Sequence, residues 1–392
     1  MTRWIEAAEA MAALGVRPQT LYAYVSRGRV RAEPHPQDPR RSRYAAADVA
    51  ALATRRSRSR KRAAVAAEAM AWGEPVLASA ITAVVDGRLY YRGQDAARLA
   101  ETETFEAVAR RLRGGDGRPM LTRLRAPPPA GASGRERLFA AVAAAAATSA
   151  PAAGRPSAEL ASEAASLLDL AADAVCGFIG EGPIHERLAL AWACGPVGMD
   201  LIRRSLVLLA DHELNASTFA ARVASSTGAS LAAAVLAGLA TLTGPLHGGA
   251  STAVVTLAQE AERLGPDQAL AARLAFRRAT PGFGHPLYPD GDPRARALLG
   301  VFHPTAPYTR LQAAGRAATG DLDNVDFAIA AMARRLKLPD EAPFLLFAIA
   351  RTAGWLAHAM EQVATGALIR PRARYVGPMP AARSGQAGQT GG

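Results

Sequence analysis

From Pro183 to Glu361 apolar residues recur at helical spacing, and strand signals are sparse everywhere after Gly93. Alanine and leucine, both strong helix formers, dominate that stretch. Such a pattern predicts a mainly α fold: a large helical body in which each helix buries one face. One hairpin is expected at its entrance. Ile81-Thr-Ala-Val-Val85 and Arg88-Leu-Tyr-Tyr-Arg92 flank Asp86-Gly87, a preferred two-residue turn. Residues 114–158, with Pro127-Pro128-Pro129 and an alanine run, predict loops and one helix of low specificity.

Composition narrows the class further. The 392 residues are 50% hydrophobic and 20% charged, which suits a folded protein with a sizeable core and excludes a disordered tail or a disulfide scaffold. Two cysteines, Cys176 and Cys194, make no disulfide framework and point to a reducing cytoplasm. Glu6 and Glu9 stand where a signal peptide needs a basic and then apolar run. The weakly polar stretch Leu231 to Leu242 is too short to span a bilayer, so no membrane association is expected.

The net charge of +12 is unevenly spread. Residues 1–63 hold 14 basic and 5 acidic side chains, which leaves 32 and 29 for the rest. That asymmetry predicts two modules with different partners. In the first, Ile5 to Leu14 reads as a helix ended by Gly15. A second opens at Pro18 and is closed by Gly28. Arg29 to Tyr44 reads as an extended wing, and Asp48 as the N-cap of a third helix. The residues Leu14-Gly15-Val16, Thr20-Leu21-Tyr22, Gly28 and Tyr44…Asp48-Val49 make residues 1–54 resemble a helix-turn-helix domain of the excisionase and MerR type. The resemblance implies a second helix in the major groove, with Gln19 and Thr20 at base edges. It implies phosphate contacts from Arg17, Arg27, Arg40, Arg41 and Arg43. A basic linker is expected over residues 55–74 and could extend the DNA contact to residue 63. The alternative is a small helical module that docks on the main body or mediates assembly without meeting DNA. Residues 378–392 read as a flexible tail.

Five stretches of the body combine polar residues in ways a core would avoid. In Asp211-His212-Glu213-Leu214-Asn215-Ala216-Ser217-Thr218, His212 and Asn215 would share a helix face. Gly244-Pro-Leu-His247-Gly-Gly sets a histidine just before a helix beginning near Ala250. The positive end of that helix disfavours a charged imidazole, and a neutral one can donate a hydrogen bond to an oxygen gaining negative charge. The loop Pro281 to Arg294 presents His285 and Arg294 among glycines that permit close backbone approach. Asp326 stands at the start of a helix from Phe327 to Leu336, where alone it would read as an ordinary N-cap. Arg351 lies inside an apolar helix, with Arg370 and Arg372 just beyond; a buried arginine demands an anion.

In this order and together, the five stretches resemble the citrate synthase family, from about Pro75 to Gly377, with Val-Asp-Gly-Arg-Leu-Tyr-Tyr-Arg-Gly matching its N-terminal hairpin. Residues 114–182 carry no motif. The resemblance implies a catalytic body over residues 75–377, with a small domain of roughly 217–320 inserted in a large one. It implies condensation of acetyl-CoA or propionyl-CoA with oxaloacetate and hydrolysis to citrate or 2-methylcitrate. Asp326 would be the base, His247 would hydrogen-bond the thioester oxygen, and His285 would polarise the ketone. His212, Arg294, Arg351 and Arg370 would hold the dicarboxylate, Arg370 being donated by the other subunit of a homodimer. No metal or redox cofactor is implied, the CoA thioester being a substrate.

One departure stands out: Pro286-Leu-Tyr-Pro-Asp-Gly291 has no basic residue where much of the family helps hold CoA phosphate. A competing expectation is a DNA-binding regulator that uses the body as a dicarboxylate or acyl-CoA sensor. Intact His247, His285 and Asp326 weigh against it, because sensing needs the arginines but not the base.

Overall fold

The computed structural model describes residues 3–16, 18–26, 28–53, 77–115, 127–274, 280–373 and 375–377. The expected linker, the expected tail, Arg17 and Arg27 lie outside the described residues. The chain divides into two compact units, Met1–Ala78 and Ser79–Gly392.

In the first unit, strand β1 (Trp4–Glu6) leads into helix α1 (Ala7–Leu14), and α2 (Pro18–Ser26) follows. Strands β2 (Ala32–His35) and β3 (Asp38–Ala45) form a hairpin, and residues 46–53 are helical (α3). The antiparallel sheet runs β1-β3-β2, with Ile5 opposite Tyr44. Gly15, at φ 59°, provides the left-handed cap that ends α1, and Val16 N–H returns to Met11 O at 3.1 Å. Ile5, Leu14, Leu21, Val30, Tyr44 and Val49 form the core.

Two details differ from the sequence expectation. Ile5 belongs to a strand rather than to the first helix: pairing with Arg43–Ala45 provides ladder partners while still burying Ile5. Asp48 is not a cap, since the helix has already begun at residue 46. Its carboxylate instead accepts from Arg31, from the backbone N–H at 3.0 Å and from the guanidinium at 2.8 and 2.9 Å.

The second unit opens with β4 (Thr82–Val85), β5 (Arg88–Tyr91) and β6 (Gln94–Asp95), paired in that order. Asp86 and Gly87, at φ 48° and 68°, are both left-handed, as the tight turn between β4 and β5 requires. Helices α4 (Ala96–Thr102), α5 (Phe105–Leu112), α6 (Gly134–Thr148), α7 (Ser157–Cys176), α8 (Ile184–Ala191) and α9 (Pro196–Leu209) follow. In the pattern-poor region, α6 is started by a reciprocal capping box between Ser133 and Glu136. The remaining helices are α10 (Ala216–Ser226), α11 (Leu231–Leu242), α12 (Ala250–Leu264), α13 (Pro266–Leu274), α14 (Pro293–Leu299), α15 (Ala306–Thr319), α16 (Val325–Leu336) and α17 (Ala342–Thr365).

Helix α17 is the axis of the larger core and packs on α5, α7, α9, α10 and α11. Every residue from Ala342 to Ala359 is buried because the helix is surrounded on every side, and most of them are apolar. Gly238 of α11 makes one of these approaches possible: a Cβ there would lie 2.6 Å from Trp355 Cδ2. A separate core of Val254, Leu257, Phe283, Tyr308, Leu311 and Phe327 joins α12, α13, α15 and α16. No helix among the described residues is long and apolar enough to cross a membrane.

Candidate active site

The first site segment is set by the hairpin. Residues 211–214 are not helical, contrary to the expected helix face shared by His212 and Asn215. Asn215 is instead the N-cap of α10, its Oδ1 accepting from Thr218 N–H at 3.1 Å. That cap fixes where the helix starts and leaves residues 211–214 as a loop. Tyr91 of β5, fully buried, puts its hydroxyl within 3.1–3.2 Å of Val207 O, Leu208 O and Asp211 O, meeting carbonyls freed at the end of α9. Val84 N–H donates to Glu213 Oε1 at 2.9 Å. His212 Nε2 then meets Tyr288 Oη at 2.9 Å, with the His285 ring edge-on at 5.1 Å between centroids.

The loop from Pro281 brings in the second group. His285 Nδ1 accepts the backbone N–H of Leu287 at 3.2 Å, so the proton of the neutral ring sits on Nε2. Burial, followed by the charge of Arg294, lowers this imidazole to about 4. Arg294 is buried and bound by Asp292 through Nε–Oδ1 at 3.0 Å and a terminal nitrogen to Oδ2 at 2.8 Å. Burial alone would raise the Asp292 carboxyl, but Arg294 holds it below its ordinary value. Asp292 also accepts Val325 N–H at 3.0 Å, tying this loop to the start of α16.

His247 sits in the turn before α12, as the sequence predicts, and is lowered to about 4 by burial and by Arg351. Its Nε2 lies 2.7 Å from Ser217 Oγ, which also accepts from Trp355 Nε1–H at 3.1 Å and lies 2.8 Å from Asn215 Oδ1. The serine has one proton for two acceptors. As placed, that proton goes to Asn215 Oδ1 and His247 Nε2–H donates to Ser217; turning the hydroxyl to Nε2 moves the ring proton to Nδ1, where it is available to an incoming oxygen.

Asp326 is the second residue of α16 and not its cap; Asn324 caps it, with Oδ1 accepting Asp326 N–H at 3.1 Å. Ser251 donates to Asp326 Oδ1 at 2.6 Å. Burial raises the Asp326 carboxyl above its ordinary value, as a proton-abstracting group requires, while Ser251 opposes that rise. Arg351, buried on α17, donates Nε to Leu209 O at 3.1 Å. Its terminal nitrogens make no other hydrogen bond among the described residues, leaving a fork for a carboxylate. The compensating charge stands back: Asp211, wholly buried, meets His358 Nε2 at 3.3 Å, and His358 Nδ1 lies 3.0 Å from Arg222. Gly354 makes room for Asp211, since a Cβ would come within 2.3 Å of Oδ1.

Two arginines, three histidines of lowered proton affinity and one carboxyl of raised affinity are thus linked by contact or charge. Such a set can bind a small dianion, abstract a proton from carbon and hydrogen-bond two oxygens as charge develops on them. Among the described residues no group of His, Cys, Asp and Glu is arranged to hold a metal ion.

Arg370 is exposed in the segment of no regular structure after α17, with no hydrogen bond or ion pair to this set among the described residues. In the first unit, Gln19 and Thr20 are exposed on α2. Arg41 and Arg43 project from β3 but pair with Glu6 at 3.2 Å and Glu33 at 2.7 Å; Arg40 shares that strand, and its side chain is outside the described residues. Ser217, Asp292, Tyr288 and Trp355 lie in the polar stretches that the sequence marks but had no role there, and Ser251 lies outside them. Only Asp292, two residues before Arg294 with Pro293 between, carried a local signal, that of a helix cap.

The family model "Citrate synthase, C-terminal domain" matches residues 136–372. The chain is 38% identical over 198 residues to the putative citrate synthase 2 of Mycobacterium tuberculosis, covering 47% of this chain and 53% of that one. It is 35% identical over 187 residues to the 2-methylcitrate synthase of Shewanella oneidensis, covering 45% and 50%. The chain spans about half the length of the curated relatives it matches. The crystal structure of citrate synthase from Thermotoga maritima superposes with a TM-score of 0.63 at 26% identity, covering 79% of this chain and 96% of that one.

Proposed function

This chain belongs to the citrate synthase family, and on that premise we propose that it condenses a short acyl-CoA with oxaloacetate and hydrolyses the thioester. Asp326 takes a proton from the carbon next to the thioester carbonyl, the C–H pair becomes the C=C bond of an enolate, and the carbonyl pair moves onto the thioester oxygen. His247 hydrogen-bonds the thioester oxygen as charge builds there; being neutral, it has no positive charge to lose. The enolate carbon attacks the ketone carbon of oxaloacetate, His285 Nε2–H hydrogen-bonds the ketone oxygen as it becomes an alkoxide, and a proton from solvent completes the hydroxyl. Arg294, Arg351 and His212 hold the two carboxylates. Water then cleaves the thioester and CoA leaves as the thiol. The reaction uses only groups of the chain and its substrates, so we assign no cofactor.

The observation that carries this proposal is that Asp326 and two neutral histidines share a site with the buried arginines. A pure dicarboxylate sensor has no use for a carboxyl of raised proton affinity. Thiol release with oxaloacetate and either acetyl-CoA or propionyl-CoA tests it and ranks the two acyl groups. A folded protein that binds oxaloacetate yet releases no thiol would make the body a sensor instead.

We also propose a homodimer that completes the site with Arg370. The segment after α17 supports this: Leu368, Tyr375 and Val376 are apolar and exposed beside that arginine. Mixing Arg370→Ala subunits with Asp326→Ala subunits tests it, because shared sites regain activity that neither variant has alone. For the first unit we propose a winged helix-turn-helix that contacts DNA, supported by the exposed face of α2 and the β2–β3 hairpin. With Arg41 and Arg43 partly neutralised by glutamates, binding should be weak and steeply salt-dependent. Loss of all DNA retention at low salt on deleting residues 1–63 is the expected result. We place the protein in the cytoplasm, where acyl-CoA is available and free thiols such as Cys176 and Cys194 persist.

A further inference from the structure

Ser251 is buried with no exposed surface, on the second residue of α12 and four residues after His247. Its hydroxyl reaches across to α16 and donates to Asp326 Oδ1 at 2.6 Å, the short distance of a hydrogen bond to an ionised acceptor. Asp326 Oδ2 accepts no hydrogen bond among the described residues, and the side chain is half-buried rather than sealed. The two carboxylate oxygens are therefore inequivalent. One is held by the helix that carries the histidine turn; the other is open to the site.

We propose that Ser251 is a positioning residue for proton abstraction: it occupies Oδ1, leaves Oδ2 as the basic atom, and fixes that atom relative to His247. This deepens the citrate synthase-type reaction proposed above and rests on it for its chemical meaning. The geometry follows from chain order. His247 stands in the turn that leads into α12 and Ser251 in the first turn of that helix, four residues apart, so the group that receives the developing oxygen charge and the group that aims the base are carried by one short segment. The proton lost by carbon goes to Oδ2, while the serine proton stays on Oγ and stabilises the ionised carboxylate beforehand. Other charges that act on this carboxyl are Asp292 and Arg294 from the loop and start of α14, and Arg351 from α17. None of them replaces a direct hydrogen bond to Oδ1.

Two variants separate hydrogen bonding from packing. Ser251→Ala removes the donor, and Ser251→Cys restores most of the volume with a weak one. In protein carrying carboxyl-carbon-labelled aspartate, with Asp326→Asn assigning the signal, both should raise the Asp326 midpoint by about one pH unit. In both, the acid limb of kcat should move up by the same amount while the KM for oxaloacetate stays within about twofold, since its carboxylate contacts are untouched. An unmoved midpoint, or a cysteine variant that behaves like the wild type, overturns the proposal. A wild-type protein without thiol release would refute the reaction instead, and the spectroscopic midpoint would still decide whether Ser251 governs Asp326.

Discussion

Asp292 and Arg294, two residues apart, face each other through two parallel hydrogen bonds of 3.0 and 2.8 Å with both side chains buried. The pair commits Nε and one terminal nitrogen of the guanidinium to a fixed plane and leaves the other terminal nitrogen in a set orientation, ready for the carboxylate contact proposed above. Neutralising Asp292 leaves a buried arginine without its counter-charge. Asp292→Asn should lower stability by about 3 kcal/mol or more and raise the KM for oxaloacetate at least tenfold. Denaturant melts and steady-state kinetics check both. A variant of full stability would mean that Arg294 is compensated elsewhere.

Asp326→Ala should abolish turnover by about a thousandfold or more while leaving the dissociation constant of oxaloacetate within about threefold. Calorimetric titration beside the thiol assay separates the two. Equal loss of binding and turnover would transfer Asp326 from the chemistry to the dicarboxylate site.

Acid should unfold the body before it titrates the ordinary carboxylates. His212, His247 and His285 all have folded-state values below 6.5, so the unfolded chain binds protons that the native site does not. Stability is therefore full above about 6.5 and is lost as pH falls towards about 4. Asp326, with its raised value, has the opposite sign but is one group against three. Melting temperatures measured at pH 7, 6, 5 and 4 should decline steadily, and replacing His247 with Gln should shallow that decline. A melting temperature independent of pH over this range would contradict the burial of the histidines.

Gly238→Ala places a methyl 2.6 Å from the Trp355 ring, and Trp355 anchors Ser217, the partner of His247. Overpacking should cost about 1–3 kcal/mol. A shift of the indole should also reduce kcat more than it affects oxaloacetate binding, because Ser217 touches His247 and none of the arginines. The melting temperature and a comparison of kcat with KM test this. Activity that survives the stability loss intact would uncouple Trp355 from the site.

Much of this was legible in the chain itself. The helices of the body show in periodicity, the β4–β5 turn in Asp86-Gly87, and the special loops in their glycines, histidines and arginines. Helix starts were less legible. Asp48 and Asp326 both looked like caps because an aspartate before an apolar run is the usual signal; a residue two places earlier began or capped each helix. The partners of Ser217, Ser251 and Trp355 were invisible for a different reason. A serine or tryptophan in a helix carries no local mark of the distant atom it touches, and these contacts span 30 to 138 residues. Asn215 shows the same limit: its role depends on where α10 begins, which periodicity leaves uncertain by a turn.

Tyr91 meets carbonyls about 120 residues further on, and Ala80 N–H donates to Glu361 Oε1 at 2.8 Å across 281 residues. On a ribosome, the hairpin is therefore made first and finds its last partner only when nearly the whole helical body has emerged. The His212 segment, pinned by that hairpin, must in turn wait for Tyr288, its own hydrogen-bond partner. Closing such long loops is slow, and it falls at the end of assembly rather than the beginning. A chain interrupted before residue 361 would hold most of its helices but lack the bond that ties the start of the hairpin to the last of them.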